Sequence, residues 1–404
     1  MSSPDLTRRR FMTRAGLLGC SVAASPLMTP ISFAAAPWDT RLVVIILRGG
    51  MDGLDAVQPY GDPAWGNLRR KLAGGPENGS LDLDGFYALH PALAPLKPMW
   101  DSGQLGFVHA VSTPYRDKRS HFDGQDVLEA GTTDLSAGAR DGWLNRMLQD
   151  MPGVTGETAY AIGRGEMYLM KGKAPVAEWT PGSDLTLSPQ AQKLMELVME
   201  EDPAMHAAFA EAEALTGESA VQQMMQGVRS KQKQVKGKVK GHVRIAKFAA
   251  KKLRQEARVA AFSLNGWDTH QHQLRAFEPA LGRLSDVLLT LKQDLTGPIW
   301  NKTAVIAMTE FGRTARENGT AGTDHGTGGL MVFAGGAIKG GKVLGTWPGL
   351  DTSDLYEGRD LMPTRDVRAH AAWMMRGLTG LDRAKLEAAI FPGLDMGRDP
   401  GLLL

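Results

Sequence analysis

Cysteine is almost absent from this sequence. The 404 residues contain a single one, Cys20, and it lies in an N-terminal segment that has the layout of an export signal. A chain without that segment can form no disulfide and has no thiolate nucleophile. The Gly-x-Ser-x-Gly motif is also missing, which disfavours an ordinary serine hydrolase.

Net charge is similarly lacking. The 46 basic and 44 acidic residues leave a formal charge of +2, and the four arginines of residues 1–35 account for the excess. The composition therefore does not indicate a nucleic-acid partner. With 43% hydrophobic and 22% charged residues, the chain is long and apolar enough to bury a sizeable core.

Residues 1–35 resemble a twin-arginine signal peptide. The stretch "TRRRFM" (7–12) is followed by an apolar segment and then small residues, and cleavage after Ala34 is plausible. An arginine and two prolines interrupt the apolar segment, so no transmembrane helix is expected in the mature chain. The stretch "LLGC" (17–20) loosely resembles a lipoprotein cleavage box, and a basic tail or membrane anchor is a further alternative. Export by the twin-arginine machinery implies a prefolded periplasmic or secreted protein.

Short, β-branched apolar runs predict buried parallel strands at "RLVVIIL" (41–47), "VAAFSL" (259–264) and "KTAVIAM" (302–308), and "LGFVHAV" (105–111) is a further candidate. An amphipathic helix is predicted between the second and third, because apolar residues recur there at three- and four-residue spacing. These residues are Leu274, Phe277, Leu281, Leu284, Leu288 and Leu291. The order strand, helix, strand predicts an α/β fold with a mostly parallel central sheet and helices on both faces. We expect one domain with insertions over residues 36–404.

The most basic stretch, residues 229–252, is interpreted as a solvated loop and helix face. Binding of phosphate or lipid headgroups is the alternative. Residues 128–142, rich in Gly, Ser and Thr, are interpreted as a loop.

Polar clusters stand at the predicted strand ends, where ligands bind in open α/β sheets. They are "RGGMDGLD" after the first strand, "NGWDTHQH" after 259–264, "TEFGRT" after 302–308, and "GTDHGTGG" in a further loop. We expect these four segments to converge.

The segment "DTHQH" offers a pair of metal ligands. Asp268 and His272 would share one face if the segment made a helical turn, and a carboxylate with an imidazole suits zinc, manganese or iron. His270 would then point elsewhere, toward a substrate. The alternative is a helix N-cap formed by Asp268, with surface histidines.

Further candidates lie in three other segments. Asp324 and His325 stand among glycines whose backbone can approach a ligand closely, and a polar turn is the alternative. Glu310 could bind a second metal and Arg313 could clamp an oxyanion, or the two could form a surface pair.

Ser120 stands beside His121 in basic surroundings. A hydroxyl there could act as a nucleophile with the help of a metal, and Arg119 could hold an anionic ester. Ser120 could instead cap a helix that begins at Phe122.

Five ordered motifs behind the leader resemble the family called domain of unknown function 1501. They are "RGGMDGLD", "RSHFDGQDVLEAG", "NGWDTHQHQ", "TEFGRTARENG" and "GTDHGTGG". That family is in turn similar to the alkaline phosphatase and sulfatase superfamily, whose members use one or two divalent metals on phosphate or sulfate esters. The resemblance implies an alkaline-phosphatase-like α/β fold.

Roles are carried over residue by residue. Asp268 and His272 match the superfamily's Asp-x-x-x-His metal pair, His325 is similar to the histidine that completes the site, and Asp52 corresponds to the first-strand metal aspartate. Glu310 stands where relatives have an aspartate followed by histidine and glycine.

Two departures from the superfamily bear on the chemistry. Phe311 takes the place of the expected histidine, so one metal is favoured over two. The sulfatase motif Cys-x-Pro-x-Arg is absent, which disfavours ordinary sulfatase chemistry. The segment "SHF", which begins at Ser120, loosely resembles the Thr-Gly-His-Trp segment of phosphopentomutases.

The sequence thus predicts an exported, metal-dependent hydrolase of a small or polymeric anionic ester, with zinc or manganese as the metal. The predicted metal ligands are Asp52, Asp268, His272, Glu310, Asp324 and His325; the predicted catalytic residues are Ser120, Arg313 and Arg119. A non-catalytic, metal-binding envelope protein and a metal-free serine esterase are the alternatives.

Overall fold

The computed structural model describes residues 38–72, 74–116, 119–133, 141–163, 167–180 and 239–404. The expected signal peptide, the first part of the basic stretch and residues 134–140 of the predicted loop 128–142 lie outside the described residues. The prediction of a loop was wrong for residues 128–130, which form the end of the helix His121–Ala130. The strands are β1 (Arg41–Arg48), β2 (Val57–Gln58), β3 (Leu81–Asp82), β4 (Ala88–Leu89), β5 (Leu105–Ser112), β6 (Ala159–Ile162), β7 (Ala177–Trp179), β8 (Val259–Asn265), β9 (Thr303–Met308), β10 (Gly329–Gly335), β11 (Val343–Leu344) and β12 (Arg365–Asp366).

Helices alternate with these strands along much of the chain. The α-helices are α1 (Gly53–Ala56), α2 (Trp65–Leu68), α3 (Lys97–Asp101), α4 (His121–Ala130), α5 (Trp143–Gln149), α6 (Gly241–Leu253), α7 (Gln273–Trp300), α8 (Val367–Thr379) and α9 (Arg383–Lys385). Short 3₁₀ segments cover Pro76–Asn78, Pro91–Leu96 and Tyr168–Met170, and a π-helical turn covers Leu386–Ile390.

A nine-stranded mixed sheet forms the centre of the described structure. Its order is β11-β5-β10-β9-β1-β8-β6-β7, and β12 also pairs with β5. The strand β10 runs antiparallel to both of its neighbours, whereas the other pairs are parallel. The predicted mostly parallel sheet is therefore confirmed. A small second sheet joins β2, β4 and β3.

Both faces of the central sheet are covered, as the continuous apolar run of β1 requires. Alternate side chains of a strand point to opposite faces. Val43, Ile45 and Leu47 join a core with α6 and α7, whereas Leu42, Val44 and Ile46 join a second core with α5 and α8. The prediction of helices on both faces is confirmed.

The amphipathic helix predicted between the second and third strands is α7. Of the six predicted apolar positions five are buried, whereas Leu274 in the first turn is 56% exposed. The end of the basic stretch forms α6, which turns Ala246 and Phe248 into the core. Among the described residues, none of the helices combines the length and the hydropathy needed to cross a membrane.

The reversed direction of β10 matters for the site. The loops that follow β1, β5, β8 and β9 leave the sheet at the carboxyl edge of the parallel strands. Because β10 runs the opposite way, the loop that precedes it lies at that same edge. Five loops therefore meet there, and they include the four polar clusters.

Candidate metal centre

Three imidazoles surround the carboxylate of Asp268. His270 Nε2 lies 3.0 Å and His325 Nε2 lies 3.3 Å from Asp268 Oδ1, and His121 Nε2 lies 3.4 Å from Oδ2. The Nε2 atoms of His270 and His325 are 2.9 Å apart. We call these four residues the His/Asp cluster.

Each imidazole is fixed from behind through Nδ1. His121 Nδ1 contacts Glu310 Oε1 at 2.8 Å, His270 Nδ1 contacts Asp324 Oδ1 at 3.0 Å, and His325 Nδ1 contacts the Arg119 carbonyl at 2.7 Å. Carbonyl oxygens and ionised carboxylates only accept hydrogen bonds, so each Nδ1 carries the proton. The lone pair of each Nε2 therefore faces Asp268.

This arrangement fits a metal ion. A tetrahedral ion with bonds of about 2.0–2.1 Å holds its ligand atoms about 3.3 Å apart, close to the observed separations. Ligand atoms of His121, Asp268 and His325 lie within 4.8 Å of one another. His270 is not in this group of three, but its Nε2 contacts Asp268 Oδ1 and His325 Nε2. His121 Nε2 is buried and has no hydrogen-bond partner among the described residues. The facing lone pairs of His270 and His325 repel each other unless a cation or an extra proton lies between them.

The loop between β8 and α7 delivers two of the ligands. The helix begins only at Gln273, so the helical turn expected between Asp268 and His272 does not form. His272 is the N-cap, with a left-handed backbone at φ 50°, and its side chain is exposed. The structure brings His270 to the cluster, and it does not bring His272 there.

Glu310 lies behind the cluster and is fully buried. Its Oε1 accepts hydrogen bonds from His121, from the Gly49 N–H at 2.8 Å and from Gln125 Nε2 at 3.0 Å. Burial would raise the pKa of Glu310, but these hydrogen bonds hold it below its usual value. The bond with Glu310 raises the pKa of His121. Glu310 therefore orients His121 and keeps it electron-rich.

Close backbone approach at Gly49 is required for this contact. Gly49 has φ +124°, and a Cβ there would lie 2.7 Å from the Asp268 backbone nitrogen. Any larger residue would push apart the loops after β1 and β8.

Arg313 supports Asp268 from inside the protein. Its side chain is fully buried and donates to Asp268 Oδ1 at 2.5 Å. Burial would raise the pKa of Asp268, but the hydrogen bond and charge of Arg313 hold it below its usual value. The guanidinium also donates to the carbonyls of Gly49, Gly50, Trp267 and Thr323. It is thus enclosed and committed to protein acceptors, and it presents no fork for a substrate oxyanion.

Residues 110–372, more than half of the chain, match the family described as "Protein of unknown function (DUF1501)". The chain belongs to this family. The family match confirms the membership that the five motifs predicted. No curated protein matches the chain.

Several solved structures are similar to this DUF1501 chain at low identity. The lipoteichoic acid synthase LtaP from Listeria monocytogenes is 8% identical, with a TM-score of 0.33 over 70% of this chain; the chain spans 59% of that protein. The C-terminal periplasmic domain of EcEptC from Escherichia coli, in complex with Zn, is 9% identical, with a TM-score of 0.38 over 90% of this chain and 92% of that one. A protein in the alkaline phosphatase superfamily from Vibrio parahaemolyticus is 9% identical, with a TM-score of 0.31 over 84% and 72%.

The backbone of the DUF1501 motif around Ser120 contacts the His/Asp cluster, because the Arg119 carbonyl accepts from His325 Nδ1. The helix α4 begins at His121, and the Ser120 hydroxyl accepts from the Asp123 N–H at 3.4 Å as its N-cap. Arg119 donates to Glu357 at 2.9 Å and to Asp360 at 3.2 Å, and its Nε is buried without a hydrogen-bond partner among the described residues.

Asp52 belongs to a neighbouring buried network. Its two carboxylate oxygens accept from Arg69 at 2.6 and 3.1 Å, and Gln273 Nε2 donates to Oδ2 at 2.7 Å. Burial would raise the pKa of Asp52, but the charge and hydrogen bonds of Arg69 together with the hydrogen bond from Gln273 outweigh burial and lower the pKa. The Arg69 guanidinium thus supplies the positive charge beside Asp52, which was predicted as a metal ligand.

Two cluster members were absent from the ligands predicted by sequence. His121 was noted only as a neighbour of Ser120, and His270 was assigned to substrate. A signal for His270 existed in the spacing, because residues 268 and 270 lie on the same side of an extended segment. Nothing in the sequence marked His121 beyond its presence in a DUF1501 motif.

Proposed function

We propose that the His/Asp cluster binds one divalent metal and that the protein hydrolyses an anionic ester of phosphate or sulfate. The observation that carries the proposal is the orientation of the rings of His121, His270 and His325. Each has an acceptor behind Nδ1 and directs Nε2 toward Asp268, which is the arrangement that orients metal-ligating histidines in proteins. Three nitrogen donors and one carboxylate suit zinc, and manganese is the alternative.

A bound metal would stabilise an attacking oxygen and the negative charge that develops on the transferred group. The protein's own residues prepare the site for that chemistry. Glu310 and Asp324 hold the protons of two ligand rings on Nδ1, and Arg313 fixes the Asp268 carboxylate. We propose Ser120, which directly precedes His121, as the nucleophile, and Arg119 as a contact for the anionic oxygens.

A single metal is proposed because Arg69 already neutralises Asp52. The ester class is supported in two steps: the five motifs resemble the DUF1501 family, and that family is similar to the alkaline phosphatase and sulfatase superfamily. The twin-arginine motif at residues 7–12 supports export to the periplasm with the metal already bound.

Metal analysis of the purified protein tests the proposal. Wild-type protein should contain about one equivalent of metal, and activity on a panel of phosphate and sulfate esters should disappear with a chelator. His325→Ala should lower metal affinity at least about 100-fold, since it removes a direct ligand. His272→Asn is the control, because His272 follows Asp268 and His270 in the loop before α7 and its side chain is exposed. This variant should keep both metal and activity.

Other outcomes of these measurements would favour one of the alternative functions or overturn the proposed metal centre. Activity that survives chelation and is lost in Ser120→Ala would establish the metal-free esterase. A stoichiometric metal without activity on any ester would favour a non-catalytic envelope protein. Absence of metal binding, or equal losses in His325→Ala and His272→Asn, would overturn the proposed centre.

A further inference from the structure

A cavity of about 250 Å³ adjoins the His/Asp cluster. Asp324 lines the cavity, and its Oδ1 contacts Nδ1 of the cluster residue His270 at 3.0 Å. The cavity therefore begins one side chain away from the cluster. Arg316 and Arg359 contribute to its lining, and Leu355 contributes an apolar wall.

The two acidic residues of the lining are already engaged. Glu317 Oε2 accepts from the backbone N–H groups of Lys71 and Leu72 at 2.8 and 3.0 Å. Asp324 Oδ1 accepts from His270 and, at 3.2 Å, from Asn318 Nδ2. Neither acid forms a direct ion pair with Arg316 or Arg359, although the charge of Arg359 helps to hold the pKa of Asp324 low.

The two guanidinium groups are far less engaged. Arg359 donates through Nη1 to the buried Asp360 at 2.8 Å, and Arg316 reaches the Asn67 carbonyl at a long 3.4 Å. Each guanidinium carries five N–H donors, so most of these donors have no acceptor among the described residues. Arg359 is 39% exposed, and Arg316 lies at the surface.

We propose that this cavity binds a second anionic group of the substrate while the ester to be cleaved lies at the His/Asp cluster. Planar guanidinium forks bind the oxygens of a carboxylate, sulfate or phosphate in pairs, and two such forks stand beside Asp324. The inference rests on the proposed function for the position of the ester. It narrows the substrate to an ester whose alcohol part carries its own negative charge.

Calorimetric titration tests the cavity without requiring turnover. The probes are propyl phosphate and three derivatives with a terminal carboxylate, sulfate or phosphate on the propyl chain. At least one derivative should bind the metal-loaded protein about tenfold more tightly than propyl phosphate, the gain expected for a charge-assisted hydrogen-bonded pair. The derivative with the largest gain identifies the second anion.

Substitutions assign that gain to the cavity. Arg316→Gln and Arg359→Gln should each lower the affinity for the derivative to about the affinity for propyl phosphate. Arg376→Gln is the control, because it removes the same charge at a position away from the cavity. Arg376 lies on α8 two residues before Leu378, whose carbonyl accepts from Thr40 at the amino end of β1. This variant should keep the full preference.

Two results would overturn the inference: no derivative binds more tightly than propyl phosphate, or the preference is the same in Arg316→Gln as in Arg376→Gln. Because Arg359 also contacts Asp360, its variant is used only if its circular dichroism matches wild type; the exposed Arg316 keeps the test decisive. Failure of the proposed function is distinguishable. The same titration is repeated with metal-free protein. If the cavity binds anions, the charged derivative should still bind more tightly than propyl phosphate there, even if the protein binds no metal and cleaves no ester.

Discussion

Each histidine of the His/Asp cluster is held by a different acceptor. His121 is held by the buried carboxylate of Glu310, His270 by the half-exposed carboxylate of Asp324, and His325 by a backbone carbonyl. A buried carboxylate interacts more strongly with the ring than an exposed one, because less water screens it. Glu310 should therefore be the acceptor whose loss matters most.

Replacing Glu310 by Gln should weaken metal binding about 10–100-fold, as is typical when the partner behind a ligating histidine is removed. The amide keeps the size of the side chain but loses the negative charge that favours the proton on His121 Nδ1. Competition with a chromogenic chelator measures the affinity. Circular dichroism of the metal-free variant checks that it folds.

Glu157→Gln is the control for this change. Glu157 is exposed and precedes β6, at the amino edge of the sheet, so its substitution should leave metal affinity unchanged. Equal affinities in the two variants would show that Glu310 has no part in metal binding.

Among the larger elements, α8 carries a buried histidine with no role in the proposed chemistry. His370 is 1% exposed, and its Nδ1 has no hydrogen-bond partner among the described residues. Burial, with a smaller contribution from the charge of Arg365, lowers the pKa of His370 to about 3. The packing of α8 on β1 and β9 therefore requires a neutral ring.

Acid should destabilise the protein through this residue. The unfolded chain binds a proton at His370 below about pH 6.5 and the folded chain does not, so the free energy of unfolding falls as the pH falls, by about 1.4 kcal/mol per unit until the folded pKa is reached. His370→Leu should remove this slope and leave stability near pH 7 similar. Urea unfolding at several pH values measures both.

His272→Asn serves as the comparison here, because it removes an exposed histidine at a left-handed position that asparagine tolerates. Its stability should follow the wild-type pH dependence between pH 4 and 6.5. A wild-type slope retained in His370→Leu would show that other groups cause the acid sensitivity.

The long central strands and α7 could be predicted from the sequence, because their patterns are local. The short β-branched apolar run at 41–47 is typical of a strand buried on both faces, and the spacing from Phe277 to Leu291 is typical of an amphipathic helix. The loop at 265–272 could not be predicted in this way. Its conformation is set by contacts with distant residues, such as the His272 N–H to the Thr320 carbonyl at 3.1 Å. Assuming a helical turn there exchanged His270 for His272.

The same limit applies to residues that are paired in the structure. Asp52, Glu310 and Arg313 stand at strand ends, as predicted, but a sequence does not show which polar group faces which. Arg69 pairs with Asp52 across 17 residues, and Arg313 reaches Asp268 across 45. Asp52, a predicted metal ligand, is therefore paired with Arg69, and Arg313, a predicted oxyanion contact, instead holds Asp268.

Considered as a whole molecule, the site draws on loops from residue 49 to residue 325, so only the folded chain can assemble it. This suits the proposed twin-arginine export, which carries folded proteins. Replacing Arg8, Arg9 and Arg10 by lysine in the full-length protein should retain most of it in the cytoplasm, because that pathway reads the paired arginines. Cell fractionation followed by immunoblotting measures the distribution.

Cys20→Ser should not alter this distribution if the leader is a twin-arginine signal rather than a lipoprotein signal. The lysine variant recovered from the cytoplasm should still bind metal, since the substitutions lie outside the described domain. Unchanged export of the lysine variant would exclude the twin-arginine route.

The position of β10 has a consequence for the order in which the protein is assembled. In the described sheet, β10 lies between β5 and β9 and is the strand that joins them. Until residues 329–335 are inserted, β5 and the helix that carries His121 have no ladder to the strands that deliver Asp268 and Glu310. The same insertion places His325. If the His/Asp cluster binds a metal as proposed, its four residues come together only after this insertion, so the ion would bind late in folding.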